Sequence, residues 1–269
     1  MSDHRVCITV VIPTLESSHY LPRLLGSLHS QSTQDFQAIV IDRFSTDPTT
    51  ELAKSAGAQV VVADLDRSAA RNVGAALSRC DKLLFVDSDM ELTEKVLEST
   101  VKSLDSYAAV CLLEVSPSAS GYWSRVRALE RRSYFGIAQL QAARGFRREV
   151  FEKMGGFDSR LTGLEDMDLQ ARLVESGIEI GWVDSPIIHH DEQLGFGDYF
   201  TKRRMYGRAD AVFAQRHPAF WRDMRSTTLR TRQILTALRR GGTEGGLIQL
   251  PGVAIRWFTE AVVRTETRE

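Results

Sequence analysis

The sequence predicts an α/β fold in which helices cover both faces of a mostly parallel, Rossmann-like central sheet. Apolar runs of strand length alternate with helix-like segments over the first 115 of the 269 residues. The runs are continuously apolar, which is typical of parallel strands that are buried on both faces. With 43% hydrophobic residues, the chain can form a sizeable core. Its length suits one large domain, or one domain with an appended segment.

Five apolar runs account for the predicted strands of the first half. They cover residues 6–12, 36–41, 58–63, 82–87 and 108–115. The first helix is predicted from apolar residues at helical spacing, namely Leu21, Leu24, Leu25 and Leu28. Further helices are expected at 67–78 and 92–104, and a short helix ends at Gly57. Ser68 and Thr93 are the expected N-caps of the two longer helices.

The second half is less regular. We expect a helix at 122–135, a loop and a helix within 155–177, short strands at 178–183 and 186–190, and a basic helix at 198–217. From about residue 225 the periodicity weakens. This last segment carries eight arginines against four glutamates, with Trp257 and Phe258 among them. Two interpretations stay open for it, namely packing against the rest of the chain or contact with an anionic membrane surface.

Composition and cysteine spacing exclude some classes of protein. The net charge of -1 argues neither for nor against binding of nucleic acid. No basic groove with stacking aromatic residues is seen in the sequence, so nucleic acid is not an expected partner. Cys7, Cys80 and Cys111 show no C-x-x-C spacing, so neither a zinc cluster nor a disulfide framework is expected. A reducing, cytoplasmic location is therefore favoured. No run reaches the roughly 18 apolar residues of a membrane span, which leaves peripheral contact at the inner face of the membrane as an alternative.

Acidic residues follow two of the predicted strands. Asp42 ends the second strand, and Asp87 and Asp89 end the fourth, within "KLLFVDSDMEL". Ligands of parallel sheets bind outside the carboxyl ends of the strands, so both acidic sites lie on the rim where a ligand is expected. Two aspartates one residue apart can approach one hard cation, and Mg²⁺ or Mn²⁺ would then bind substrate phosphates. The alternative is that Asp87 caps a helix while Asp89 is solvated.

Basic residues near the same rim could face an anion. Arg67 and Arg71 lie near the start of the 67–78 helix, where the helix dipole favours negative charge. The 198–217 helix could fold over a diphosphate as a cationic lid, or it could be a solvated face. Its cations are Lys202, Arg203, Arg204 and Arg208.

Three carboxylates begin the helix that precedes Gly177. Asp166 and Asp168 point to nearly opposite sides of that helix, so only one of them can readily face a substrate, and the pattern alone does not decide which. The alternative is that both residues, with Glu165, only favour the helix dipole. His189 and His190 end a short strand, where neighbouring side chains point to opposite faces.

Three segments, taken in order, resemble family 2 glycosyltransferases, which have the GT-A fold. They are "ITVVIPTLES…LPRLLGSLHSQSTQDFQAIVIDRFSTDPT", "RSAARNVGAALSRCDKLLFVDSDMEL" and "AARGFRREVFEKMGGFDSRLTGLEDMDLQARLVESG". The resemblance covers roughly residues 6–215. It implies an enzyme that moves a sugar from a nucleoside-diphosphate donor to an acceptor hydroxyl, with inversion at the anomeric carbon. UDP-sugar is the favoured donor, and a glycan or a lipid-linked saccharide is the expected class of acceptor.

The resemblance also implies roles for individual residues. Asp166 matches the general base, and Glu165 beside it matches a substrate-binding position. Asp89 would bind a divalent metal, Mg²⁺ or Mn²⁺, on the diphosphate. Asp87 would contact the ribose, or the metal through water, and His189 is preferred over His190 as a further metal ligand. The positions that match the nucleoside pocket are Pro13, Thr14, Asp42 and Arg71.

The resemblance further divides the chain. Residues 1–220 would form the glycosyltransferase domain, with a nucleotide-binding half at 1–115 and an acceptor-binding half at 116–220, and 221–269 would be a helical extension. The chain departs from the family in Asp42-Arg43, where two acidic or amide residues are common. It departs again in Thr14-Leu15-Glu16, where an aromatic residue and Asn are common. Both departures affect contacts with the nucleobase.

Three other functions are weighed against this one. A non-catalytic relative that binds nucleotide-sugar is disfavoured because Asp87, Asp89 and Asp166 are all present. A sugar-phosphate nucleotidyltransferase normally has glycine, arginine and lysine in its first loop. Here that loop is "PTLESSHY", with neither glycine nor lysine. An NAD enzyme is disfavoured because no G-x-G-x-x-G follows the first strand.

Overall fold

A computed structural model of the protein describes residues 7–116, 122–161, 163–190 and 210–241. Within this part of the chain, eight strands form one sheet. The strands are β1 (Ile8–Thr14), β2 (Phe36–Asp42), β3 (Gln59–Val62), β4 (Lys82–Phe85), β5 (Met90–Leu92), β6 (Ala109–Val115), β7 (Gly145–Arg147) and β8 (Ile180–His189). Their order across the sheet is β3-β2-β1-β4-β7-β6-β8-β5.

Helices connect most of these strands. They are α1 (Leu21–His29), α2 (Thr49–Ser55), α3 (Arg67–Ala76), α4 (Val96–Ser106), α5 (Tyr122–Tyr134), α6 (Arg148–Lys153), α7 (Glu165–Glu175), the helical residues 210–216 as α8, α9 (Pro218–Met224) and α10 (Thr227–Gly241).

The sheet is mostly parallel, as predicted. Strand β1 pairs in parallel with β2 and β4, β2 with β3, and β6 with β8. Only the short strands β5 and β7 run antiparallel to their neighbours among the described residues. Because β7 is antiparallel to both β4 and β6, those two strands point the same way. The carboxyl ends of six strands therefore lie along one edge of the sheet.

Helices cover both faces of the sheet, again as predicted. In β1, Val10 packs on one face with Leu24 of α1 and Leu97 of α4. The adjacent Val11 points to the other face and packs with Ala75 of α3 and a group of phenylalanines. Both valines are fully buried. The continuous apolar run of β1 is the consequence of burial on two sides.

Two predicted helix caps are wrong. Asp66, and not Ser68, caps α3, because its carboxylate accepts a hydrogen bond from the backbone N–H of Ala69. Helix α4 begins only at Val96, and no side chain caps it. The Thr93 hydroxyl instead donates to the carbonyl of Pro186 at 2.9 Å. A tertiary partner thus competes with the local cap in the second case.

The two strands predicted at 178–183 and 186–190 form a single strand, β8. Its pairing with β6 shifts register between Leu112 and Glu114, which lie opposite Val183 and Ile187. This irregularity accommodates Pro186, which has no N–H to donate to the ladder. The sequence signal of a break was correct, but the chain continues through it.

Cys7 and Cys80 form a disulfide, which contradicts the expectation that no cysteines pair. The two residues are 73 positions apart in sequence. They become neighbours because β1 and β4 are adjacent parallel strands, with Ile8 opposite Lys82. The inference of a reducing compartment loses its basis. None of the described helices has both the length and the apolar character to cross a membrane.

The described part of the C-terminal segment packs on the rest of the chain. Helix α10 contacts α5, and Arg232 donates to the carbonyl of Gly136 at 2.9 Å. Most of the predicted basic helix at 198–217, with its four cations, lies outside the described residues, as do Trp257 and Phe258.

The close approach of α3 to β1 can be tested at Gly74. A Cβ there would lie 2.2 Å from a methyl of Val11, whereas one at Gly26 on α1 would meet nothing within 4 Å. We expect Gly74→Ala to lower the free energy of unfolding by about 1–3 kcal/mol through overpacking. Gly26→Ala should be neutral or raise it by up to about 1 kcal/mol through helix propensity. Urea unfolding of both variants measures these free energies. Equal changes in the two variants would contradict the close packing of α3 against β1 at Gly74.

Candidate active site

Charged and polar residues gather at the carboxyl-end edge of the sheet. Thr14 and Asp42 close β1 and β2, Asp87 follows β4, and His189 closes β8. The antiparallel β7 starts at the same edge, and Arg144 immediately precedes it. Parallel pairing thus assembles residues from distant parts of the sequence.

Asp87 is held by two arginines. Arg71 Nη2 contacts Oδ1 at 2.5 Å, and Arg144 Nη1 contacts Oδ2 at 3.2 Å. Burial acts to raise the pKa of Asp87, but Arg71 and Arg144 outweigh it and hold that pKa well below its ordinary value. Asp87 is therefore an ionised carboxylate with both oxygens in ion pairs. This arrangement suits an orienting role better than direct binding of a metal.

The Asp89 carboxylate has a different partner, His189. Asp89 Oδ2 lies 3.1 Å from His189 Nε2. Burial opposes ionisation of Asp89, but the hydrogen bond with His189 outweighs it and lowers the pKa of Asp89. Burial likewise opposes the charge on His189, whose pKa is nonetheless raised by Asp89 and Glu114. His190 turns to Glu91, at 2.9 Å, so only His189 faces the Asp89 carboxylate.

The donor atoms of Asp89 and His189 fit a divalent cation. Ligands at about 2.1 Å from an octahedral Mg²⁺ lie about 3 Å apart, close to the separation of these two atoms. The described residues contain no group of three or more His, Cys, Asp or Glu side chains able to hold a metal ion. Of the predicted trio, then, the structure brings Asp89 and His189 together, while Asp87 stays with its arginines. Such a pair needs further ligands, which phosphate oxygens and water can supply.

Sequence reasoning missed Glu114 and singled out no role for Arg144. Arg144 Nε donates to Glu114 Oε1 at 2.7 Å, and Glu114 Oε2 lies 3.4 Å from His189 Nδ1. Burial acts to raise the pKa of Glu114, but Arg144 and His189 hold it well below its ordinary value. A signal was present, since Glu114 is an acidic residue at the end of the apolar run "AVCLLEV".

Glu165 is a second buried carboxylate that binds Arg71. Its Oε1 lies 3.1 Å from Arg71 Nη1 and 2.7 Å from Arg67 Nη2. Burial and the neighbouring Asp166 raise the pKa of Glu165, and the two arginines offset this only in part. The Arg71 guanidinium also lies 5.2 Å from the centre of the Phe157 ring. Arg67 and Arg71 therefore pair with carboxylates of the protein itself, and their contact with a ligand anion stays a prediction.

The structure separates the two aspartates between which the sequence pattern did not decide. Asp168 is 2% exposed and binds Arg172 at 2.8 Å and His217 at 3.0 Å. Asp166 is half-buried and acts electrostatically on Arg144 and Glu165, so it lies on the side of the Asp87 rim. Asp168 is thus engaged in a structural ion-pair group, whereas Asp166 accepts a hydrogen bond from the Met167 N–H and forms no ion pair with the described basic side chains.

Local backbone geometry places Asp166. Leu164 adopts a left-handed conformation with φ of 56°, which is uncommon for a residue other than glycine, and helix α7 starts directly after it. The preceding loop is anchored by Asn72 of α3, whose amide donates to the carbonyl of Phe157 and accepts from its N–H. The start of α7 is therefore tied to α3, the helix that carries Arg71.

Thr14 and Asp42 form a separate group at the ends of β1 and β2. Thr14 Oγ1 donates to Asp42 Oδ1 at 2.9 Å, and the Ser45 N–H donates to Asp42 Oδ2 at 2.8 Å. Pro13, expected to follow β1, lies within the strand opposite Ile41. The structure thus brings Pro13, Thr14 and Asp42 together. A hydrogen bond between Ser17 and Ser88, at 3.0 Å, links this group to the loop that carries Asp87.

Comparison with known sequences places this geometry among sugar-transferring enzymes. Residues 9–155 match the family model described as glycosyl transferase family 2. A pre-mycofactocin glycosyltransferase of Mycobacterium tuberculosis is 28% identical over 232 residues, which are 78% of this chain and 48% of that protein. The O-antigen chain rhamnosyltransferase RfbN of Salmonella typhimurium is 25% identical over 209 residues, covering 68% of this chain and 66% of that protein. The chain thus spans about half the length of the mycobacterial relative.

Two solved structures share the fold. The mannosyltransferase PcManGT of Pyrobaculum calidifontis, in complex with GDP-Man and Mn²⁺, superposes with a TM-score of 0.62 at 15% identity, covering 96% of this chain and 84% of that one. The structure of TarS residues 1–349 of S. aureus superposes with a TM-score of 0.58 at 17% identity, covering 97% of this chain and 91% of that one. At these identities the likeness establishes the fold alone, and it confirms the predicted GT-A architecture.

The different environments of Asp166 and Asp168 make a matched pair of variants. Asp168→Asn should lower the free energy of unfolding by about 3 kcal/mol, because it removes one partner of a buried ion pair. We take the lower end of the usual range since Arg172 is 26% exposed. Asp166→Asn should change stability little. Urea unfolding of both variants checks this, and a larger loss for Asp166→Asn would refute the assignment of Asp168 as structural.

Proposed function

Since the chain belongs to glycosyl transferase family 2, we propose that it transfers a sugar from a nucleoside-diphosphate donor to an acceptor hydroxyl, with inversion at the anomeric carbon. The main support is the arrangement at the rim, where Asp89 Oδ2 lies 3.1 Å from His189 Nε2 while Asp166 forms no ion pair with the described basic side chains. UDP-sugar is the proposed donor and a glycan or lipid-linked saccharide the proposed acceptor. The O-antigen chain rhamnosyltransferases among the relatives support a glycan.

The proposed base is Asp166. In a direct displacement, the acceptor hydroxyl must lose its proton as its oxygen attacks the anomeric carbon, and a carboxylate within hydrogen-bond reach can accept that proton. Asp166 is half-buried and so accessible to an acceptor. Asp168 is disfavoured as the base because it is 2% exposed and paired with Arg172 and His217. Glu165, bound by Arg67 and Arg71, would orient the start of the helix beside the substrate.

Asp89 and His189 are proposed to hold Mg²⁺ or Mn²⁺. The cation, when bound, would neutralise charge on the departing diphosphate without proton transfer. Asp87, kept ionised by Arg71 and Arg144, would accept hydrogen bonds from the ribose or from metal-bound water. The group formed by Pro13, Thr14 and Asp42 is proposed to line the nucleoside pocket. Asp42 orders the loop around it through Ser45.

We further propose that residues 1–220 act as the glycosyltransferase domain, with its nucleotide-binding half at 1–115 and its acceptor-binding half at 116–220. Residues 221–269 would form a helical extension. A panel of UDP-, GDP- and dTDP-sugars tests the function, with donor hydrolysis and calorimetric binding measured in parallel. Turnover of one donor supports the proposal. Binding without turnover of any donor would instead favour a non-catalytic relative.

Asp166→Asn should lower the turnover number by about 10²–10⁴-fold, because the amide cannot accept the acceptor proton. Donor affinity should be largely kept, since Asp166 is not proposed to bind the nucleotide. Steady-state kinetics and calorimetry with the active donor measure the two effects. An unchanged turnover number would show that the base is another residue.

Asp89→Ala should weaken metal-dependent binding of the donor, because it removes the carboxylate ligand of the cation. We expect an effect of at least about tenfold on the Mn²⁺ concentration that half-saturates donor binding, in line with the loss of a ligand contact. Calorimetry at increasing Mn²⁺ concentration measures it. Asp81→Ala is the control, as the Asp81 side chain is 86% exposed and pairs with Arg148 away from this cluster.

A further inference from the structure

Glu114 occupies an unusual position for an acidic residue. It lies near the end of β6, after four consecutive buried residues of that strand, and its side chain is only 16% exposed. Its two oxygens face different partners, with Oε1 at 2.7 Å from Arg144 Nε and Oε2 at 3.4 Å from His189 Nδ1. Arg131 Nε lies 4.0 Å from Oε2. One carboxylate thus stands between two residues of the candidate site.

We infer that Glu114 is a positioning residue that braces both aspartates of the Asp87–Asp89 pair, through His189 on one side and Arg144 on the other. This inference rests on the proposed function for its consequence in catalysis. It assigns to Glu114 a role in binding a divalent cation, although Glu114 itself would not contact the cation.

The first half of the brace sets which nitrogen of His189 faces the cation. An ionised carboxylate can only accept hydrogen bonds, so Glu114 favours a proton on Nδ1. Nε2, which lies 3.1 Å from Asp89 Oδ2, is then the nitrogen available to a metal. A carboxylate that orients a metal-binding histidine in this way commonly contributes about 10–100-fold to metal affinity.

The second half of the brace acts through Arg144. Because the guanidinium group is planar and rigid, a hydrogen bond that fixes Nε also fixes the two terminal nitrogens. Nη1 of Arg144 contacts Asp87 Oδ2 at 3.2 Å. Glu114 therefore sets the direction from which Arg144 holds Asp87, and it leaves Asp89 as the carboxylate that faces His189.

The chain supplies a matched control at His190, the residue directly after β8. His190 Nε2 lies 2.9 Å from Glu91 Oε2, so this second pair also joins a histidine to a glutamate. Glu91 is in β5, and its side chain forms no hydrogen bond or ion pair with the side chains of Asp89 or His189 in the described part of the chain. Replacing Glu91 breaks the same kind of contact without touching the proposed brace.

The test is the affinity of the full-length protein for Mn²⁺ alone, measured from the loss of the free-ion EPR signal. Glu114→Ala should weaken Mn²⁺ binding by about 10–100-fold. Glu114→Gln should lose less Mn²⁺ affinity, because its amide oxygen still accepts a hydrogen bond from the His189 Nδ1–H. This second variant keeps the test valid if the alanine variant folds poorly. Glu91→Gln should match the wild type. With an active donor, turnover by Glu114→Ala should recover as Mn²⁺ is raised.

Equal Mn²⁺ affinity in the wild type and both folded Glu114 variants would overturn the inference, and so would a wild type that binds no Mn²⁺. A loss of the same size in Glu91→Gln would also overturn it, by showing a general effect on the sheet. The proposed function fails separately if Mn²⁺ binding depends on Glu114 but no nucleotide-sugar is turned over. The inference fails separately if the wild type is an active transferase and replacing Glu114 leaves the Mn²⁺ affinity unchanged.

Discussion

The burial of Arg71 and Arg144 between carboxylates is the constraint on which the rest of the site depends. An ionised group removed from water is costly unless it is paired and hydrogen-bonded. Arg71 joins Asp87 to Glu165, and Arg144 joins Asp87 to Glu114. Each of the two arginines thus contacts two carboxylates, and Asp87 contacts both arginines. The result is a connected charged group that runs from α7 to β6.

This charged group gives the two aspartates that follow β4 different surroundings. Asp87 is occupied on both oxygens by arginines, whereas Asp89 is 37% exposed and meets only His189 among the described side chains. The two residues are separated by a single serine, yet their surroundings differ in charge and access. This difference is the basis of the proposal that Asp87 orients neighbouring groups while Asp89 receives a cation.

The sheet explains why these residues meet at all. Six strands present their carboxyl ends along one edge, and the start of the antiparallel β7 brings Arg144 to the same edge. Loops and helices then supply the remaining members, with Asn72 tying the start of α7 to α3. Asp166, Asp87 and His189 thus reach one rim from three widely separated parts of the chain. A fold that provides this edge leaves substrate choice to the loops around it.

The sequence by itself determined the α/β class, the parallel sheet and the position of most helices, because burial on two faces requires continuous apolar strands. It also pointed to Asp42, Asp87 and Asp89 as residues of the rim, since each lies at or just after the end of a predicted strand, and the family resemblance added Arg71 and His189. Contacts between side chains that are distant in sequence could not be predicted. The pairing of Cys7 with Cys80, the ion pairs of Asp168, and the place of Glu114 between Arg144 and His189 were decided by tertiary structure. The physical reason is that ion pairs and disulfides depend on the distances between side chains. The order of the strands in the sheet sets those distances, and the local periodicity of a sequence does not reveal that order.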